Sequence, residues 1–330
     1  MNRQNRSVSL LIFALTLCWL APATAAQAQT SRASSAASYL ERGNQWMEKG
    51  ELDRAIADYD LAITFDARVA VAWYNRGLAR QRKGDLAGAL HDYDRAIELN
   101  PRYADAYLSR GVIRAELGDP DAAINDFSRA IEINPRDTRA WSNRCYAHYR
   151  LGALDVALTN CDRALKLDAR HTAAWSNRGL TRQGKGDLDG AMADFDRVIK
   201  LDPQQADFYG NRSGVWLLKG EVERALSDVN QALTLNPKLD QAWSYRGAVW
   251  FAKRDYTRAI ADYDEALKLN PRLAYVYVNR GVARLMQGRL AEAEADFARC
   301  RELGGKLGPE AERLLQETRQ RAAARAIPRN

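Results

Sequence analysis

The chain has 330 residues, of which 46% are hydrophobic and 28% charged, with a formal net charge of +7. That is ample apolar material for a buried core. The positive charge is mostly arginine spread at intervals and forms no basic block, which argues against a nucleic-acid arm and for a solvated surface.

Residues 1–28 stand apart. Arg3 and Arg6 give a positive start, and Val8 to Leu20 is an apolar run too short to span a bilayer. Two small-x-small sites follow, Ala23-Thr24-Ala25 and Ala26-Gln27-Ala28. The pattern predicts a Sec-type signal peptide cut before Ala26 or Gln29. It implies an exported chain, in a bacterial periplasm, with no stable membrane span after cleavage. Leu17 makes Cys18 a poor lipoprotein site. Residues 29–35, QTSRASS, read as a flexible spacer.

From Ala36 to Leu307 the sequence repeats every 34 residues without a gap. The repeats are 36–69, 70–103, 104–137, 138–171, 172–205, 206–239, 240–273 and 274–307. Position 4 of each is aromatic, from Tyr39 to Tyr277, and position 20 is always alanine. Position 8 is glycine except for Cys145 and Ser213, and position 15 is glycine except for Arg254. Apolar and small residues at 4, 8 and 11 put one face on a first helix; those at 20, 24, 27 and 28 do the same for a second. Glycine at 15 ends the first helix, and an acidic residue at 16, such as Asp85 or Asp187, opens the second. Proline at 32, as at Pro101 and Pro135, stops it. Residues 308–326 read as a solvating cap helix with Ala311, Leu314, Leu315 and Thr318 inward, and 327–330 as a tail.

These residues resemble the W-x-x-L-G…A…F…A…P pattern of the tetratricopeptide-repeat family, in an exported bacterial form, over residues 36–307. The departure is position 7, where arginine replaces the family's leucine throughout. The resemblance implies an all-α fold: an α-solenoid, a right-handed superhelix of antiparallel helix pairs with first helices on the concave side. One such pair cannot bury its own apolar face, so neighbours must stack.

No catalytic set stands out. The histidines are His91, His148 and His171, and no phosphate loop, HExxH or GxSxG occurs. Cys145 and His148 share a helix face, but positions 8 and 11 point into the hairpin, which favours a core pair over nucleophile and base. A structural zinc would need four ligands, and His171 is the one spare candidate beside Cys145, His148 and Cys161. No cofactor, no metal and no enzyme activity are expected. Cys145 and Cys161 occupy positions 8 and 24, which come level when helices fold about positions 15–16. Helices packed 8–10 Å apart bring facing Cα atoms to roughly 3.5–5.5 Å, within reach of a disulfide. Export favours the disulfide; a reduced core pair is the alternative.

By the family resemblance, positions 2, 5, 6, 9, 12 and 13 line a groove. Position 6 offers Asn75, Asn143, Asn177, Asn211 and Asn279. An asparagine amide carries a donor and an acceptor and can match one peptide unit; the series is similar to the asparagine ladder of O-linked N-acetylglucosamine transferases. Glu41, Ser109 and Tyr245 interrupt it, which favours inheritance of "NRG" by duplication, with a peptide ladder as the alternative. Tyr74, Gln81, Arg82, Tyr146, Tyr149, Arg150 and Gln183 give the groove a polar centre. Leu217, Leu218, Phe251, Val278, Val282, Leu285 and Met286 give it an apolar end. Arginine at 7 and aspartate at 23 suggest a ladder of exposed, individually weak ion pairs. The leading expectation is a periplasmic scaffold that binds a protein or peptide partner in this groove. A self-associating subunit of an envelope assembly is the second, and an enzyme of unknown type a remote third.

Overall fold

The structure is a computed structural model that describes residues 29–326. The expected signal peptide and the tail 327–330 lie outside the described residues. All elements among the described residues are helices, and none is long and apolar enough to cross a membrane.

The chain forms two compact units. The first holds α1 (29–48), α2 (Leu52–Phe65), α3 (Ala70–Arg82), α4 (Leu86–Leu99), α5 (Ala104–Glu116), α6 (Pro120–Ile133) and α7 (Thr138–Arg150). The second holds α8 (Leu154–Leu167), α9 (Thr172–Gly184), α10 (Leu188–Leu201), α11 (Ala206–Leu218), α12 (Val222–Leu235), α13 (Asp240–Ala252), α14 (Tyr256–Leu269), α15 (Ala274–Met286), α16 (Leu290–Glu302) and α17 (Pro309–Ala326). Residues 29–35 are helical and extend α1, where a spacer was expected. They contain neither glycine nor proline, and propagating a helix costs little once it is nucleated. That helix is anchored by Tyr39, whose ring stacks on Phe65 at 5.4 Å.

Local chemistry sets each helical hairpin. Gly84 ends α3 at φ 84°, a left-handed conformation that costs glycine nothing. Arg254 adopts φ 63° at the equivalent turn, where an L-residue is disfavoured by about 1–2 kcal/mol. Asp85, Asp119, Asp187 and Asp255 cap the next helix by accepting a backbone N–H; Glu51 and Glu221 at the same position do not. In six of the eight hairpins a ring at position 24 lies against the glycine at position 8; the fourth has Cys145 and Cys161 at these positions and the sixth Ser213 and Val229. A Cβ on Gly77 would stand 2.7 Å from Tyr93, and one on Gly111 2.7 Å from Phe127.

Arginine at position 7 ties successive hairpins together. Arg76 grips Asp92 with Nε and Nη2 at 2.9 and 2.6 Å, and its Nη1 reaches Asp60 of the preceding repeat. Arg110 does the same with Asp126 and Asp94, and Arg212 with Asp228 and Asp196. The guanidinium also lies over the position-4 ring, 4.7 Å from the centroid for Arg76 on Trp73. Trp73 in turn donates its indole N–H to the Ala67 carbonyl at 2.9 Å. The ladder foreseen as exposed is therefore buried: the Asp92 side chain is 0% exposed and that of Arg76 10%. In the fourth repeat Arg144 donates to Ser128 Oγ at 3.0 Å and in the seventh Arg246 donates to Asn230 Oδ1 at 3.4 Å, where Arg76, Arg110, Arg178, Arg212 and Arg280 meet aspartate.

Cys145 and Cys161 are both disulfide-bonded, and Cys300 is the free cysteine among the described residues. In the second unit, α17 turns Ala311 and Leu315 inward, and Leu315 joins Leu285 and Phe297 in one apolar cluster. Val278 and Val282 pack against this cluster. The apolar groove end expected there is thus partly covered by the chain's own last helix.

Candidate functional site

In the first unit, three contiguous cavities run along α3, α5 and α7. The central one, about 270 Å³, is lined by Val112, Ala115 and Glu116 of α5, Phe127 of α6, and Asn143, Tyr146 and Arg150 of α7. A smaller one of about 120 Å³ shares Ala115, Tyr146 and Arg150 with it and adds Gly118, Pro120 and Ala147. A third, about 410 Å³, lies between Leu78, Gln81, Arg82, Leu86 and Glu116. Glu116 borders both larger cavities, so the depressions form one trough.

The helix period explains the α7 wall. Asn143, Tyr146 and Arg150 are three and four residues apart and fall on one face. The Arg150 guanidinium lies 5.9 Å from the Tyr146 ring centroid and its Nη1 donates to the Tyr146 hydroxyl at 3.4 Å. Tyr149 is half-buried, its ring 6.1 Å from that of Tyr146, and burial raises its phenol pKa. Behind this wall, burial lowers the pKa of Arg144. Burial, and then the charge of Arg144, lowers that of His148, which stays neutral at pH 7. The floor of Val112, Ala115 and buried Phe127 is apolar, while the rim carries an amide, a carboxylate and a guanidinium.

The remaining expected site residues are placed differently. Asn75 donates to the Asn44 side chain at 2.8 Å, and Asn44 also receives the Tyr59 hydroxyl at 2.9 Å. Tyr74 is half-buried between Tyr93 and Tyr103, with centroids 5.7 and 4.8 Å away. In the second unit, Asn177 and Asn279 are half-buried. Asn211 is buried at 6% exposure and offers no open rung. Beside it the Tyr245 ring lies over Gly210 and Gly214, 3.6 and 3.4 Å from where their Cβ atoms would stand. Phe251 packs against Tyr256 at 5.3 Å and against the α14 core. Of the expected residues, Asn143, Tyr146 and Arg150 come together in one cavity. Val112 and Glu116 of the preceding repeat are not among the expected site residues, although they fall at positions 9 and 13, which the family resemblance puts on the groove; Phe127, at position 24 of that repeat, was expected only as a packing residue. Among the described residues no group of histidine, cysteine or acidic side chains could hold a metal.

A family model described as "Tetratricopeptide repeat" matches residues 74–137, 113–172 and 176–240, and one described as "TPR repeat" matches 43–84 and 249–288. No curated protein sequence matches the chain significantly. Among solved structures, a tetratricopeptide repeat protein from Parabacteroides merdae aligns with a TM-score of 0.66 at 20% identity, over 76% of this chain and 99% of its own. TTC0263, a thermophilic TPR protein of Thermus thermophilus, aligns at 0.51 with 25% identity, over 55% and 99%. PilF of Pseudomonas aeruginosa aligns at 0.56 with 15% identity, over 66% and 99%. The recurring ring–glycine contacts, the paired helices and these matches agree, and the chain belongs to the tetratricopeptide-repeat proteins, whose fold is that of a protein–protein interaction scaffold.

Proposed function

We propose that the chain is a periplasmic interaction scaffold, without catalytic activity, that binds an extended segment of a partner protein along α3, α5 and α7. The observation that carries this reading is the trough itself, with its apolar floor and its rim of Asn143, Glu116 and Arg150. Such a surface favours an extended chain: the floor takes a side chain, and the Asn143 amide can meet a peptide N–H and C=O together. A photo-crosslinking residue placed at Tyr146 in the native host tests it. A defined adduct is expected there and not at Arg129, an exposed position of α6 whose side chain is 48% exposed. Equal labelling at both positions would remove the trough as the binding face.

A further inference from the structure

The trough carries a charge register. In the first unit the last residue of each first helix alternates in sign: Glu48, Arg82, Glu116, Arg150. In the second unit the same position holds Gly184, Leu218, Ala252 and Met286, none of them charged. Arg82, Glu116 and Arg150 are all exposed and all line the cavities. The two arginines suit a helix C-terminus, where the backbone dipole is negative. Glu116 is the wrong sign for that place, and among the described residues it enters no ion pair. Glu116 stands on the wall between two cavities, where its carboxylate is available to a cationic group of a ligand.

We infer that the first unit recognises an extended peptide segment whose charges alternate acidic, basic, acidic, with one large apolar side chain beside the last. The acidic groups face Arg82 and Arg150, and the basic group faces Glu116. The apolar side chain enters the cavity of Val112, Phe127 and Tyr146; its volume of about 270 Å³ suits one large side chain better than a drug-sized molecule. Neighbouring helices lie roughly 10 Å apart, which an extended chain crosses in about three residues. The recognised pattern is then acid-x-x-base-x-x-acid. Alternation also gives discrimination, since a segment in the opposite register meets like charge at every rung.

The inference rests on the trough being a peptide site, and two measurements separate them. Fluorescent peptides with the matched register and with every charge reversed, both carrying leucine at the apolar position, are titrated against the exported, oxidised chain by anisotropy. The matched peptide is expected to bind at least about tenfold more tightly, with the gap shrinking as salt rises. The variant Arg82→Glu/Glu116→Arg/Arg150→Glu should exchange the preference, and because all three sites are exposed it should keep the parent's circular dichroism. Equal or absent binding of both peptides, or an unchanged preference in the inverted variant, overturns the register. A random-peptide display library panned on the same chain then locates the failure. Peptides that need Tyr146 but lack alternation leave the trough standing and sink the register; no enrichment of any peptide sinks both.

Discussion

Gly77 shows how a single missing methyl sets a hairpin. Its α-carbon faces the Tyr93 ring so closely that a Cβ would come within 2.7 Å of Cε1 and 3.3 Å of the Asp92 Cβ. Neither neighbour can yield easily, because Tyr93 is 0% exposed and its hydroxyl donates to Gln81 at 2.7 Å. Gly77→Ala should therefore destabilise the chain by about 1–3 kcal/mol, the usual range for overpacking. A melting curve superimposable on the parent's would show that the ring moves freely and the contact is idle. The reciprocal case is already present: where position 24 is Val229 instead of a ring, position 8 is Ser213. This reciprocity of volumes is readable in the sequence, and it made Cys145 and Cys161 stand out as a pair of substitutions. Asn211 was not readable in the same way. Its burial follows from Gly210 and Gly214, which admit a ring from the next repeat, Tyr245.

Between elements, the arginine of position 7 does what an aliphatic residue does elsewhere in the family. Arg76, on α3, joins Asp92 on α4 to Asp60 on α2, and Arg80 adds a further bond to Asp92 at 2.9 Å. The positions 7 and 23 were legible as a pair because they come level within one hairpin. The aspartate of position 25 was not, since its contact exists only after the next repeat has stacked. Burial decides the energetics. Asp92→Ala removes the buried carboxylate shared by two arginines and leaves Arg76 with the half-exposed Asp60 alone, which should cost about 3 kcal/mol, the lower end for breaking a buried pair. Asp60→Ala, at a side chain 49% exposed, should cost less than about 1 kcal/mol. Chemical denaturation of the two variants compares them directly; equal losses would mean that the ladder acts as a surface ion-pair network, as the sequence alone suggests.

At the scale of the whole chain, the proposed export and the oxidised cysteines make one statement that can be measured by counting thiols. Of the four cysteines, Cys18 falls in the segment that cleavage would remove. Cys145 and Cys161 are disulfide-bonded, and Cys300 is 1% exposed, with its thiol pKa pushed up by burial. A buried, protonated thiol reacts slowly with alkylating agents. The exported chain should therefore take up no alkyl group while folded, one after denaturation, and three after denaturation with reductant. Its intact mass should begin at Ala26 or Gln29. The same chain made without residues 1–28 in a reducing cytoplasm should instead show three groups on denaturation alone, and its stability should be lower by about 3 kcal/mol, the usual contribution of a disulfide. Three reactive thiols in the denatured exported chain, or an intact mass that retains residues 1–28, would separate the disulfide from export and take the periplasm out of the proposed function, while leaving the trough of the first unit untouched.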